Sequence, residues 1–258
     1  MTGDWLYDLN LGVILLGTLL ILLLSFVIGY WAGRRFRKEG EPDSQINTIQ
    51  TATLGLLGLL LAFTYSMAAA RYETRRDLVV QESNAIGTAY LRAKMLPEPQ
   101  RTQIIGLLRE YVDARLEFYD AGVDPTKLQQ AIDETEQIQD QLWQQAIVVS
   151  TNDPRSVPTG LFVQSLNEVI DLHAARLAAM ENRVPEVIII LIFIASIVTQ
   201  GLMGYALWMV QHRSFIPSLM ALLLIVIIIG VIIDLDRPRR GLIQVSQESM
   251  IQLQQSIK

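Results

Sequence analysis

Four stretches of this chain run for 19 to 26 residues without one charged side chain, and no other feature restricts its fold so tightly. They occupy residues 9–33, 45–70, 187–211 and 215–233. A helix rises about 1.5 Å per residue, and the hydrocarbon core of a bilayer is about 30 Å thick. Each stretch is therefore long enough to cross, the last only just. Inside lipid a backbone must satisfy its own hydrogen bonds, so the stretches are expected to be helices. The first is expected to be a retained span rather than a cleaved leader. Its apolar run is too long, no basic residue precedes it, and no small-x-small site follows before Arg34. The fold class predicted is all-α, a polytopic membrane protein with four transmembrane helices.

The polar stretch between the second and third spans also reads as helical. No proline lies between Pro42 and Pro97, so the second span is expected to continue as one helix to about Met95. The segment LPEP (96–99) stops it, because each proline disfavours helix in the residue before it. A new helix starts near Gln100 with a stripe at Ile105, Leu108, Val112, Leu116 and Tyr119, closed by Gly122 and Pro125. The next carries Leu128, Ala131, Thr135, Ile138, Leu142, Ala146 and Val149. The segment TNDPRSVP (151–158) reads as a loop. A last piece carries Phe162, Leu166, Val169, His173, Leu177 and Met180 and enters the membrane near Pro185. Strand alternation is absent throughout.

The expected layout is thus an extramembrane helical bundle inserted between helices two and three. Residues 1–70 hold the N-terminal segment and transmembrane helices 1 and 2. Residues 71–184 form the bundle, continuous with helices 2 and 3. Residues 185–236 form a hairpin of helices 3 and 4, and 237–258 an amphipathic tail. The positive-inside rule counts short connections. Arg34, Arg35, Arg37, Lys38 and Arg213 lie on one side, against three basic residues in the tail and none before the first span. That count favours an extracytoplasmic bundle.

Several function classes drop out. The chain has no cysteine, which excludes disulfides, iron–sulfur clusters and thiol nucleophiles. A net charge of −5 with one short basic run speaks against a nucleic-acid partner. No nucleophile elbow, phosphate loop or metalloprotease motif occurs, so no catalytic residue, enzyme activity or cofactor is expected. His173 reads as a core histidine with a satisfied nitrogen. Glu168 and Asp171 are near in sequence but off its face, His212 falls in the hairpin turn, and no metal set results.

The second span is the most informative. Thr51, Gly55, Gly58, Ala62, Ser66 and Ala69 follow at spacings 4, 3, 4, 4 and 3, giving a helical face of small residues only. Small faces let backbones approach closely in lipid. This one is either a packing seam within one subunit or a surface where copies ring an axis and line a pore. Just beyond, RYETRRD places Arg71, Glu73, Arg75 and Arg76 at the boundary. They read as a solvated surface of snorkelling arginines or as a charged vestibule, where an arginine ring favours anions. At the end of the fourth span, Asp234, Asp236 and Arg237 crowd against the same boundary. Carboxylates at that depth are costly unless paired, so Asp234 is expected to pair with the arginines of helix 2 or with Arg237. The tail after Gly241 either lies along the interface or packs under the bundle.

The segments RYETRRDLVVQESNAIGTAYLRAKMLPEP (71–99) and DLDRPRRGLIQVS (234–246) resemble the bestrophin-like family of bacterial membrane proteins. The tail pattern D-x-D-R-P-x-x-G-x-I-x-V-S is its most specific part. The resemblance implies a distant kinship with bestrophins, pentameric chloride channels with four membrane helices per subunit and a pore lined by the second. It therefore implies a homo-oligomer in a bacterial plasma membrane, with the lipid bilayer and small anions as partners. It also implies a cytosolic bundle, opposite to the charge count. Bulky neck residues and an acidic calcium clasp have no recognisable counterpart here. A membrane-anchored scaffold or sensor, whose bundle binds a partner without transport, is the competing reading.

Overall fold

A computed structural model describes residues 9–36, 44–208 and 214–258. Arg37, Lys38, His212 and Arg213 lie outside the described residues. Eight α-helices and no strand occur among the described residues: α1 (Leu11–Phe36), α2 (Ser44–Ala93), α3 (Gln100–Asp120), α4 (Pro125–Asn152), α5 (Val157–Glu181), α6 (Glu186–Leu207), α7 (Ile216–Leu235) and α8 (Glu248–Ile257). Four of the described helical segments are long and apolar enough to cross a membrane: α1, the first part of α2, α6 and α7. The protein is an all-helical integral membrane protein.

Helix boundaries follow local chemistry. The 50-residue α2 meets no proline until Pro97. Gly122 closes α3 in the left-handed region (φ 57°), which a glycine adopts without steric cost. Asp124 caps α4 by accepting from the Thr126 and Lys127 N–H groups at 3.0 and 3.3 Å, with Pro125 in the first turn. The loop expected over 151–158 is shorter. Thr151 and Asn152 finish α4, and α5 starts at Val157 with Ser156 as its cap. Pro158 fits there because a first-turn residue needs no N–H partner. Helices α5 and α6 are separate, broken over 182–185 before Pro185.

The chain divides into two compact units. The first comprises Met1–Ala70 and Arg183–Arg237. Here α1 and α6 meet through glycines. A Cβ on Gly29 would overlap the Gly201 carbonyl oxygen, and one on Gly204 the Phe26 carbonyl oxygen. A Cβ on Gly33 would come 2.8 Å from the Tyr205 carbonyl oxygen. The Ser25 hydroxyl donates to the Ile197 carbonyl at 2.7 Å across the same seam. Ser25, Gly29 and Gly33 recur every fourth residue, the small-xxx-small pattern of tight membrane packing. At the C-terminal end of the same seam Tyr30 meets Trp208 edge-on, ring centroids 5.5 Å apart, and Arg34 lies 5.9 Å over the Trp208 ring. Aromatic and arginine side chains of this kind suit the headgroup level.

The second unit comprises Arg71–Asn182 and Pro238–Lys258. Its apolar core draws on the second half of α2 (Ile86, Ala89, Ala93), α3 (Ile104, Leu108, Val112), α4 (Ile138, Leu142, Val149), α5 (Phe162, Leu166, Val169) and α8 (Met250, Ile257). The tail is tied in by polar contacts as well. The Tyr90 hydroxyl and Arg109 Nε donate to the Ile257 carbonyl at 3.2 and 2.6 Å. The Ser83 hydroxyl donates to the Ser249 carbonyl at 3.2 Å. Of the two placements expected for the tail, packing against the bundle is the one adopted.

Candidate functional site

Most of the small face of α2 is left open by the described residues. Thr51, Gly55, Gly58, Ala62 and Ser66 are exposed, and Ala69 is half-buried. A Cβ added at Gly55 or Gly58 meets nothing within 4 Å. The Thr51 hydroxyl turns back to the Asn47 carbonyl at 2.9 Å, as threonines in helices commonly do. The side of α2 that is buried in this region carries Leu57, Leu61, Thr64 and Ala68. At 100° per residue those positions centre about 130° round the helix from the small stripe. Bulky exposed residues flank the stripe: Leu59 and Phe63 on one side, Leu54 and Tyr65 on the other. Glu73 and Arg76 follow Ala69 at spacings 4 and 3, and both are exposed.

Other members of the expected boundary cluster are engaged within their own units. Arg75 is buried, and its Nε and Nη2 donate to the carbonyls of Ala179 and Asn182 at 2.9 and 2.8 Å. Arg71 Nε donates to Asn182 Oδ1 at 3.3 Å. Both arginines therefore serve the C-terminus of α5, where orphan carbonyls and the helix dipole favour cations. Asp234, Asp236 and Arg237 are buried in the first unit at the end of α7. Asp236 Oδ2 accepts the Val184 N–H at 2.8 Å and so holds the chain just before α6. This answers why acids crowd after so apolar a helix: at least one completes a backbone bond.

The second unit also contains a buried ionic network that the sequence did not reveal. Glu82 of α2 is fully buried and is bracketed by two buried arginines. Arg115 Nε donates to its Oε1 at 2.9 Å, and Arg176 Nη1 donates to Oε2. The Tyr111 hydroxyl donates to Oε1 at 3.2 Å, and Gln139 Nε2 donates to the Tyr111 oxygen at 3.2 Å. Arg176 Nη2 donates to Gln247 Oε1 at 3.3 Å. Burial alone would raise the Glu82 carboxyl, but Arg115 and Arg176 outweigh it and hold it below the ordinary carboxylate value. Burial first, then the Glu82 charge, pushes the Tyr111 hydroxyl upward, against the pull of Arg115.

That network explains why the buried side of α3 differs from expectation. Ile104, Leu108, Tyr111, Arg115 and Phe118 are buried at spacings 4, 3, 4 and 3, whereas Ile105, Leu116 and Tyr119 are only half-buried. The helix turns to seat an arginine and a tyrosine that an apolar stripe leaves out. His173 departs too. It is buried, yet neither ring nitrogen has a hydrogen-bond partner among the described residues. Burial, then Arg115, pushes its pKa down to about 4, against the pull of Glu82. It is thus a neutral ring beside a charged network rather than a histidine with a satisfied nitrogen. Glu168 and Asp171 are exposed, and among the described residues no three acids or histidines converge on one point.

Within the membrane unit, Gln200 of α6 is fully buried, with both amide atoms unpartnered among the described residues. The pair Gly29 and Gly33 was equally readable beforehand. Its signal was the GxxxG spacing in GYWAG, which the general greasiness of the first span conceals.

Several solved structures share this fold. Two crystal structures of a bacterial bestrophin homologue from Klebsiella pneumoniae superpose with a TM-score of 0.70. They are 13% and 14% identical, covering 94% of this chain and 96% and 95% of theirs. A third crystal structure, of a membrane protein, gives 0.65 at 14% identity, covering 96% of this chain and 97% of the other. At such identities the likeness is one of fold. Among curated proteins none matches the chain. A family model described as the Bestrophin-like domain matches residues 15–250. The chain, four membrane-crossing helices with a helical unit built on its middle and tail, belongs to the Bestrophin-like family.

Proposed function

We propose that this protein is one subunit of a homo-oligomeric, anion-conducting channel in which the small face of α2 lines the shared axis. One observation carries the reading: in a row of six small residues on a membrane-crossing helix, five are exposed and Ala69 is half-buried, and a Cβ at Gly55 or Gly58 meets no described residue. A packing seam within the subunit would bury that row, and here a different side of α2 is buried. In lipid a face of small residues lets a neighbouring helix approach closely, so this one suits contact with another copy. In this reading Arg71, Glu73, Arg75 and Arg76 mark the charged end of the span in α2, and Asp234, Asp236 and Arg237 mark that of α7, each within its own unit. Arg76, exposed beyond the small row, supplies the ring that favours anions. The helical unit between the second and third spans is extramembrane, and no catalytic residue is involved.

The membrane is a plasma membrane. The charge count of the short connections favours an extracytoplasmic helical unit. A cysteine introduced at Ser156 then reacts with an impermeant maleimide in intact cells; labelling only after lysis reverses the orientation. A scaffold without transport draws support from an apolar patch on α4, where Trp143, Ile147 and Val148 are exposed. Flux separates the two. Liposomes holding the wild type should pass halide, and Gly58→Leu should reduce that flux at least tenfold without unfolding the subunit. Absence of halide flux from wild type under every gradient tested would leave the scaffold.

A further inference from the structure

Positive charge accumulates in the second unit beyond what its one buried carboxylate balances. Arg115 and Arg176 share Glu82. Arg239 is close by on the same aromatic ring: its guanidinium carbon lies 4.2 Å from the Phe118 centroid, and that of Arg115 lies 4.7 Å from it. The hydrogen bonds of Arg239 go to neutral atoms, the Gly122 carbonyl at 3.5 Å and Met180 Sδ at 3.2 Å. Burial first, then the fields of Arg115 and Arg176, push its pKa down to about 10. Three guanidinium groups thus stand against one carboxylate in a partly desolvated region. Charges there are expensive unless countered.

The same groups border a cavity of about 20 Å³. Arg176, Arg239 and Gln247 contribute polar walls, and Phe118, Val79 and Met180 contribute apolar ones. Arg75 also borders it, but its side chain is bound to the α5 C-terminus and the site does not depend on it. None of the residues bordering this cavity is acidic. About 10–15 Å³ of this kind of space holds one water, so the cavity has room for one small monatomic ion.

We propose that this cavity is a binding site for a single halide-sized anion, held between the Arg176 and Arg239 guanidinium groups. It lies within the helical unit and is separate from the small face of α2. Its occupant balances the excess arginine charge, so halide binding tightens the packing of the Pro238–Lys258 segment onto α3 and α5. The inference does not rest on conduction: it holds equally for a scaffold.

The test uses the full chain in detergent, at fixed pH and ionic strength, with chloride exchanged for gluconate. A ligand that binds only the folded state raises stability logarithmically with concentration. The unfolding temperature should therefore rise by several degrees as chloride replaces gluconate. Gly58→Leu should keep that rise, and Arg239→Gln should abolish it. Equal unfolding temperatures in the two salts, or a rise undiminished in Arg239→Gln, would overturn the proposal. Should Arg239→Gln fail to fold, wild-type crystals grown in bromide decide the matter. An anomalous peak within hydrogen-bond reach of Arg176 and Arg239 supports the site. A map with no peak there rejects it.

Discussion

Replacing Glu82 by glutamine should destabilise the helical unit severely while changing its shape very little. The side chain keeps its volume, and one of its oxygens can still accept. What disappears is the negative charge between Arg115 and Arg176, which are 0% and 2% exposed. Two guanidinium groups then remain buried without a counter-ion, and the new amide N–H₂ points at donors. Removing one partner from a buried pair costs about 3–5 kcal/mol. For a protein of this size each kcal/mol lowers the unfolding temperature by roughly 2–4 °C, so a fall of about 6–20 °C is expected. Trp143 is the one tryptophan of the second unit. Its fluorescence, in a variant with the other tryptophans replaced by phenylalanine, reports unfolding of this unit alone. The triple change of Glu82, Arg115 and Arg176 to methionine removes charge and counter-charge together. Such replacements are often neutral or stabilising, so it should recover most of the loss. If Glu82→Gln unfolds within 2 °C of wild type, the network is not the buried ionic lock described.

Acid should weaken the same unit by two routes of like sign. The His173 pKa is lowered to about 4 from its usual 6.5. As pH falls through that interval the unfolded chain takes up a proton that the folded chain refuses, so stability declines. The lowered Glu82 pKa adds a further decline below the usual carboxylate value of 4.5. His173→Leu should flatten the loss between pH 6.5 and 4 and leave the lower limb; an unaltered profile would remove His173 from the account. Gly29→Leu should drive α1 off α6, costing about 3 kcal/mol or more. Gly55→Leu, with open space around it, should cost the isolated subunit almost nothing. The comparison is read from the unfolding temperatures of the two variants in detergent. Gln200→Leu replaces a buried amide that lacks partners among the described residues, and stabilisation of about 1–3 kcal/mol is expected in the same assay.

The membrane helices were legible because a run of some twenty uncharged residues has few alternatives. The reach of α2 to Ala93 was legible because prolines punctuate so strongly. Less accessible was anything that depended on a polar residue facing inward. Arg115 and Tyr111 look like the outer side of α3 until Glu82, 33 residues before Arg115, is known to lie against them. Periodicity alone therefore set the stripe about one position off. His173 was located on the right side of α5, but its unpartnered nitrogens follow from tertiary packing that spacing does not encode. The α1–α6 seam shows a different limit. GYWAG announces close packing, yet only the structure identifies Gly201 and Gly204 as the other side of it. The six small residues of α2 present the opposite case. Their spacing was plain, and the described residues leave that row open, with five members exposed and Ala69 half-buried.

The chain contains no cysteine, so single cysteines can be introduced one at a time from Thr51 to Ala69 and oxidised in native membranes. The channel reading predicts disulfide-linked dimers that peak at positions 51, 55, 58, 62, 66 and 69 and fall away at Leu57, Leu61 and Ala68. Absence of cross-linking along the small row, or a maximum on the buried side instead, would contradict a shared axis lined by α2.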